Sequence, residues 1–353
     1  MSSHIKKIIS RLEQKNLDGL IVSYPHNISY LVEFSSRDAY FLISKKENFY
    51  FTDSRYTEQV RPRLKEKAAL KKINGSVFKQ IADTCLNLKL KKVAFEERHL
   101  PYAEYKKIKD FLKKKTRLIP THSLVEDLRE TKEEQELEKM RRAIKITIEA
   151  LKFSRTILRA GKREIEIVAE LERFIRYQGA RSTAFGIIVA SGPNSSFPHH
   201  ISGDRKTRRG EPVLIDIGVD YLGYKSDLTR VFFLDKIKIL AQNIYNIVCQ
   251  AQKKAIENIR PGIKISKIDK AARQFISQKG FGEYFCHNLG HGVGLEVHEE
   301  PHISGKERDI LSRGMVFTVE PAIYLPREFG IRIEDMVLVT RDGCEVLSGT
   351  LDK

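Results

Sequence analysis

The stretch V-L-I-D-I-G-V-D-Y-L-G-Y-K-S-D-L-T-R, residues 213–230, decides how the second half of the chain is read. Apolar residues flank Asp216 on both sides, which puts its carboxylate in a core strand, where an unpaired charge is costly. The segment D-Y-L-G that follows has the character of a turn. A hairpin turning on Tyr221 and Leu222 sets Asp216 opposite Asp227 on the returning strand. Two carboxylates facing each other on a buried sheet repel. Bound cations would remove that conflict.

Three further residues extend the argument. Glu320 ends the apolar run M-V-F-T-V-E-P at 315–321, and Glu334 interrupts I-R-I-E-D-M-V-L-V at 331–339. His291 stands in G-H-G-V-G-L-E-V-H-E-E-P at 290–301, between glycines that let the backbone approach a substrate or another strand. Four carboxylates and one imidazole are hard ligands, suited to a pair of divalent ions such as Mn, Co, Fe or Zn. Such a pair can hold a hydroxide and cleave an amide bond. Ordinary core ion pairing is the competing reading, but Arg332 or Arg230 can neutralise one acid and not all four.

His298 follows His291 by seven positions, a spacing unlike the local metal pair H-E-x-x-H. One ligand and one substrate-facing acid or hydrogen-bond donor fit better. His199 and His200 come after S-G-P-N-S-S-F-P, a loop of turn residues and a natural place for a substrate-binding histidine. His302 is read as a possible pocket residue; His4, His26, His99 and His122 are assigned no role.

The rest of the chain narrows the alternatives. Its 353 residues fit two domains, and 41% hydrophobic content is ample for a core. No apolar run reaches 18 residues, and the charged start lacks the features of a signal peptide, so the expected location is cytoplasmic, with no membrane partner. The four cysteines form no CxxC pair and are expected to be buried free thiols, Cys286 included. The formal charge of +17 raises the question of nucleic acid. However, the lysines of 106–115 wrap an apolar stripe of Tyr105, Ile108 and Phe111 or Leu112. No nucleic-acid motif accompanies them, so no nucleic-acid partner is expected. No G-x-G-x-x-G or P-loop opens a nucleotide site.

Residues 1–125 read as a mixed α/β unit, starting with an amphipathic helix at 5–15. Pro120 and Thr121 interrupt the pattern at a joint. Thr131 is a plausible N-cap with Glu134 three residues on, ahead of a long helix. A second helix stops at Gly179. Residues 126–353 then read as α+β, with helices near 238–259 and 266–280 outside a curved sheet.

Taken together, these motifs resemble the creatinase/aminopeptidase family, in its proline-specific branch. The resemblance rests on F-T-D-S-R-Y at 51–56, P-H-H at 198–200, D-I-G at 216–218, S-D-L-T-R at 226–230, the 290–301 segment, V-E-P at 319–321 and R-I-E-D at 332–335. It implies a pita-bread catalytic domain behind a smaller creatinase-like domain. It implies two metal ions, most commonly manganese with cobalt or zinc in some members, held by Asp216, Asp227, His291, Glu320 and Glu334. It also implies His199 and His298 on the substrate side, Glu320 as proton acceptor, and a homodimer. The implied substrates are peptides with proline second. The main expectation is an Xaa-Pro aminopeptidase, because His302 stands where dipeptidase-like members often carry arginine. An Xaa-Pro dipeptidase is the alternative, and a metal-free binding protein of the same fold is the reading from another class.

Overall fold

Alternating apolar runs separated by lysine-rich turns build a six-stranded sheet in the first 129 residues. In this computed structural model, which describes residues 3–34 and 37–353, the chain divides into two compact units, Met1–Arg129 and Glu130–Lys353. The strands of the first unit are β1 (Gly19–Val22), β2 (Ala39–Ser44), β3 (Phe49–Thr52), β4 (Ala69–Lys72), β5 (Lys92–Glu96) and β6 (Arg117–Thr121). Their order is β4-β3-β2-β1-β5-β6. Pro120 does not end the pattern as expected: it lies in β6, an edge strand, where a missing N–H can face away from the ladder. The helix Tyr102–Leu112 buries Ile108 and Leu112 and leaves its lysines in solvent, as the stripe requires.

The second unit opens with the helix Glu134–Ile157. Thr131 is not its cap. Glu133 is, reciprocated by Glu136 in a capping box, while Thr131 forms a β-bridge with Met315. The next helix, Glu164–Tyr177, stops before Gly179, whose φ is +91°. The strands that follow are β7 (Ser182–Thr183), β8 (Ile188–Ser191), β9 (Pro212–Ile217), β10 (Val219–Tyr221), β11 (Tyr224–Lys225) and β12 (Leu228–Phe233). After the helices Ile239–Ile256 and Ile265–Gln278 come β13 (Gly290–Gly292), β14 (Glu299–Ile303), β15 (Val316–Val319), β16 (Ala322–Leu325), β17 (Phe329–Arg332), β18 (Asp335–Val339) and β19 (Cys344–Val346). Sheets β12-β9-β8 and β14-β13-β15-β18-β19 carry the candidate ligands. The two helices lay Ile244, Val248, Ile268 and Ala272 into a core shared with Phe317, Val319 and Val337.

The hairpin register differs from the expected one. Asp216 pairs with Thr229, not with Asp227. The turn residues are Leu222 and Gly223, with φ of +51° and +93°, the left-handed pair that a tight two-residue hairpin needs. Asp227 immediately precedes β12 and stands diagonally from Asp216 on the same face. The thiol expectation also needs correction. Cys85 is buried, Cys249 and Cys344 are half-buried, and Cys286 is exposed.

Candidate active site

One cavity of about 690 Å³ in the second unit gathers every residue singled out for chemistry. Asp216, Asp227, His291, Glu320, Glu334, His199, His200, His298 and His302 all line it. The residues come from strands or the residues that flank them. Asp216 comes from β9 and Asp227 from just before β12. His291 is the middle residue of β13, Glu320 follows β15, and Glu334 falls in the break between β17 and β18. The glycine before His291 has a steric cause: a Cβ on Gly290 would collide with the Thr318 carbonyl of the neighbouring strand.

The carboxylates are unevenly partnered. Arg332 Nη2 donates to Asp216 Oδ2 at 2.6 Å, its Nε donates to Thr229 Oγ1 at 3.0 Å, and Thr229 Oγ1 donates to Glu334 Oε2 at 2.6 Å. Thr318 Oγ1 donates to Glu320 Oε1 at 3.1 Å. Asp216 Oδ1 and Asp227 Oδ1 are buried and find no hydrogen-bond partner among the described residues. Of the basic side chains lining the cavity, only Arg332 is a permanent cation, set against four acids. Burial, reinforced by Glu334 and Asp216, pushes the Asp227 carboxyl well above the usual range. Burial pushes Glu334 up as well, with Glu320 and Asp216 adding to it. Glu320 is pushed up to about 7, again by burial first. Such a cluster favours either protons or cations.

The imidazole is set up to bind a cation. His291 Nδ1 lies 3.2 Å from the Gly292 carbonyl, which can only accept, so the proton is on Nδ1 and Nε2 keeps a lone pair. Nε2 points at Glu320 Oε1 (3.4 Å) and Asp227 Oδ2 (3.8 Å). Burial, with His298 nearby, lowers the His291 pKa to about 3, so the ring is neutral, as a ligand must be. Ligand atoms of Asp227, His291 and Glu334 lie within 4.8 Å of one another and could hold an ion. The unpartnered carboxylate oxygens and the inward lone pair fit a divalent-metal centre.

Several contributors escape sequence reading. Gln252, fully buried on the helix Ile239–Ile256, donates from Nε2 to the carbonyls of Val319 (2.9 Å) and Ile333 (3.1 Å). Each carbonyl belongs to the residue just before a cluster glutamate. His287 also lines the cavity. Its Nδ1 donates to the Asn288 carbonyl at 2.7 Å, and its Nε2 accepts from the Tyr324 hydroxyl at 3.2 Å. Tyr324 in turn accepts from Arg332 at 2.6 Å. No local pattern marks Gln252 or Tyr324, since only the packing of separate elements brings them to their partners.

Comparison with known proteins gives this site a context. Residues 138–341 match the model of metallopeptidase family M24, and residues 4–131 match the creatinase/prolidase N-terminal domain. The chain is 35% identical to an Xaa-Pro dipeptidase of Pyrococcus horikoshii, over 99% of this chain and 98% of that protein. A solved Xaa-Pro dipeptidase from Bacillus anthracis superposes with a TM-score of 0.94 at 36% identity, covering 98% of this chain and 96% of the other. An X-Pro aminopeptidase structure from Thermotoga maritima gives 0.89 at 35% identity, covering 96% and 97%. The resemblance and the two-domain pita-bread architecture read from the motifs are borne out: the chain belongs to metallopeptidase family M24.

Proposed function

We propose that the protein hydrolyses the bond ahead of proline in Xaa-Pro dipeptides, using two divalent ions held by Asp216, Asp227, His291, Glu320 and Glu334. One observation carries the reading: four acids and a neutral imidazole converge in one cavity, with buried oxygens of Asp216 and Asp227 that have no hydrogen-bond partner among the described residues. The preference for dipeptides departs from the sequence expectation of an aminopeptidase. It is supported by relatives named Xaa-Pro dipeptidase that span nearly the whole chain. The Thermotoga structure keeps the aminopeptidase as the second reading.

When bound, the ions would lower the pKa of a water at the site. The chain's own groups do the rest in this reading. Glu320 accepts the proton of the attacking water. His298, on the cavity wall, donates to the carbonyl oxygen as charge builds on it. His199 faces the proline side and the departing nitrogen. Proline fixes φ and lacks an N–H, so a cavity shaped for its kink selects against extended chains. The same reading takes manganese as the ion, with cobalt or zinc as alternatives, a homodimer as the assembly and the cytoplasm as the location. Among the described residues no helix is long and apolar enough to cross a membrane.

The deciding assay compares Ala-Pro with Ala-Pro-Ala after chelation and readdition of manganese. Preferred cleavage of the dipeptide is expected. Preference for the tripeptide moves the protein to the aminopeptidase reading, and cleavage of neither by metal-loaded protein rejects both.

A further inference from the structure

Glu164 opens the helix Glu164–Tyr177, and its carboxylate is fully buried. A helix start favours a carboxylate, but this one points into the protein and collects donors from a single loop. Oε1 accepts from Ser191 N and Ser191 Oγ, both at 2.8 Å, and from Asn194 Nδ2 at 3.1 Å. Oε2 accepts from His200 Nε2 at 2.8 Å, from Asn194 Nδ2 at 3.1 Å and, weakly, from Gly203 N at 3.5 Å. All of these partners lie between residues 191 and 203, the segment that carries His199. Main-chain bonds from Ile165 N to Gly203 O and from Glu164 N to Arg205 O fasten the end of the segment and the residues just after it to the helix start.

The loop is also tied beyond His200, where Ser202 Oγ accepts from Val189 N at 2.7 Å and donates to the Val189 carbonyl at 3.0 Å. Ser195 Oγ accepts from Gly330 N at 2.8 Å, and Arg332 Nη1 reaches the Pro198 carbonyl at 3.3 Å. The two residues on either side of His199 are therefore each held, Pro198 by Arg332 and His200 by Glu164. Phe197, His199 and Ile201 are themselves exposed, so little packing fixes the stretch. A buried carboxylate with this many donors in one loop is a strong tether, because a lost partner leaves a desolvated group unsatisfied. The contact also fixes the His200 tautomer: only a protonated Nε2 can donate to the carboxylate.

We propose that Glu164 is a positioning residue for His199, acting through His200 and Asn194 to hold the 192–203 loop against the cavity. This rests on the substrate-side role given to His199 under the proposed function. The wall therefore has two layers: His199 facing substrate, and a buried acid one residue removed that sets its place.

The test uses the full chain with imidazole-15N-labelled histidine. In wild type the His200 Nε2–H proton is slow to exchange and shows a cross-peak. In Glu164→Gln that peak is lost, and the His199 resonances shift and broaden. In metal-loaded protein, Glu164→Gln lowers kcat on Ala-Pro about tenfold with KM changed less than threefold. The same substitution in a His199→Gln background costs nothing further. His200→Gln, whose side-chain amide can still donate to Glu164, retains more activity than His200→Leu, and this pair serves if Glu164→Gln does not fold. A surviving Nε2–H peak, unmoved His199 signals, additive losses, or equal activity of the two His200 variants each overturn the proposal. If wild type cleaves no Xaa-Pro peptide, the proposed function falls, and the imidazole signals still decide whether Glu164 places His199.

Discussion

Thr229 and Glu334 are joined by a 2.6 Å hydrogen bond in which the hydroxyl donates to Oε2 while accepting from Arg332 Nε. The threonine sits opposite Asp216 in the hairpin register, so one small side chain links both halves of the acid cluster. Thr229→Val keeps the shape and removes the link. It should weaken divalent-ion affinity about 10- to 100-fold, the usual effect of losing a partner behind a ligand. Calorimetric titration with manganese measures it; unchanged affinity would mean that Glu334 needs no hydroxyl to hold its place.

Arg332 is the permanent cation among four acids. Arg332→Met leaves Asp216 buried and unpaired, and should cost about 3–5 kcal/mol in metal-free protein. Saturating divalent ion should restore part of that loss. In wild type the ion should add about 3 kcal/mol at a concentration 100 times its dissociation constant. Urea denaturation with and without chelator gives both figures. A variant as stable as wild type in chelator would show that the acids are neutral without the arginine.

Gln252 touches no candidate ligand, yet it fixes the carbonyls next to Glu320 and Glu334. Gln252→Leu should lower manganese affinity severalfold, with a stability loss of about 1–3 kcal/mol from two unsatisfied carbonyls. If affinity stays at the wild-type value while stability falls, the amide serves the core alone.

In the first unit, burial pushes the Glu96 carboxyl up to about 7 despite hydrogen bonds from Asn27, Ser23 and Tyr24. The folded state holds this proton more tightly than the unfolded chain does. Its stabilising effect is therefore full below the ordinary carboxylate range and is lost as pH rises through about 7. Between pH 5 and 8, wild type should lose about 2–3 kcal/mol relative to Glu96→Gln. Denaturant melts of both proteins at the two pH values check the sign, and a wild type that gains over the variant would contradict it.

Thiol labelling separates the cysteines. Cys286 is exposed and should react within minutes with an aromatic disulfide. Burial pushes the Cys85 thiol up to about 12, so it should label only on unfolding. Peptide mapping after a short pulse distinguishes them.

The acids at 216, 320 and 334 could be read locally, because each interrupts an apolar run that would otherwise be core. The hairpin register was missed by the placement of its turn: Leu222 takes a left-handed φ that its side chain gives no hint of. Thr131 looked like a helix cap, but the helix start lies three residues later and the strand near Met315 claims it. Proline 120 looked like a break because sequence does not reveal which strand lies at an edge. Gln252, Tyr324 and Glu164 stayed invisible for a common reason. Their partners lie between 8 and 101 positions away, and only the finished packing brings them together.

Arg332 and Asp216 are 116 positions apart, and the other cluster residues come from strands spread between them and just beyond. The hairpin of β9 and β12 brings together only Asp216 and Asp227, and the other three residues of the proposed centre wait on a loop closure that is entropically unfavourable until the sheets have assembled around it. Uptake of the proposed ions is therefore expected late in folding, as a sensor of completion. A chain nicked and separated anywhere between residues 228 and 290 would keep every residue type in the two pieces and bind no pair of ions in either.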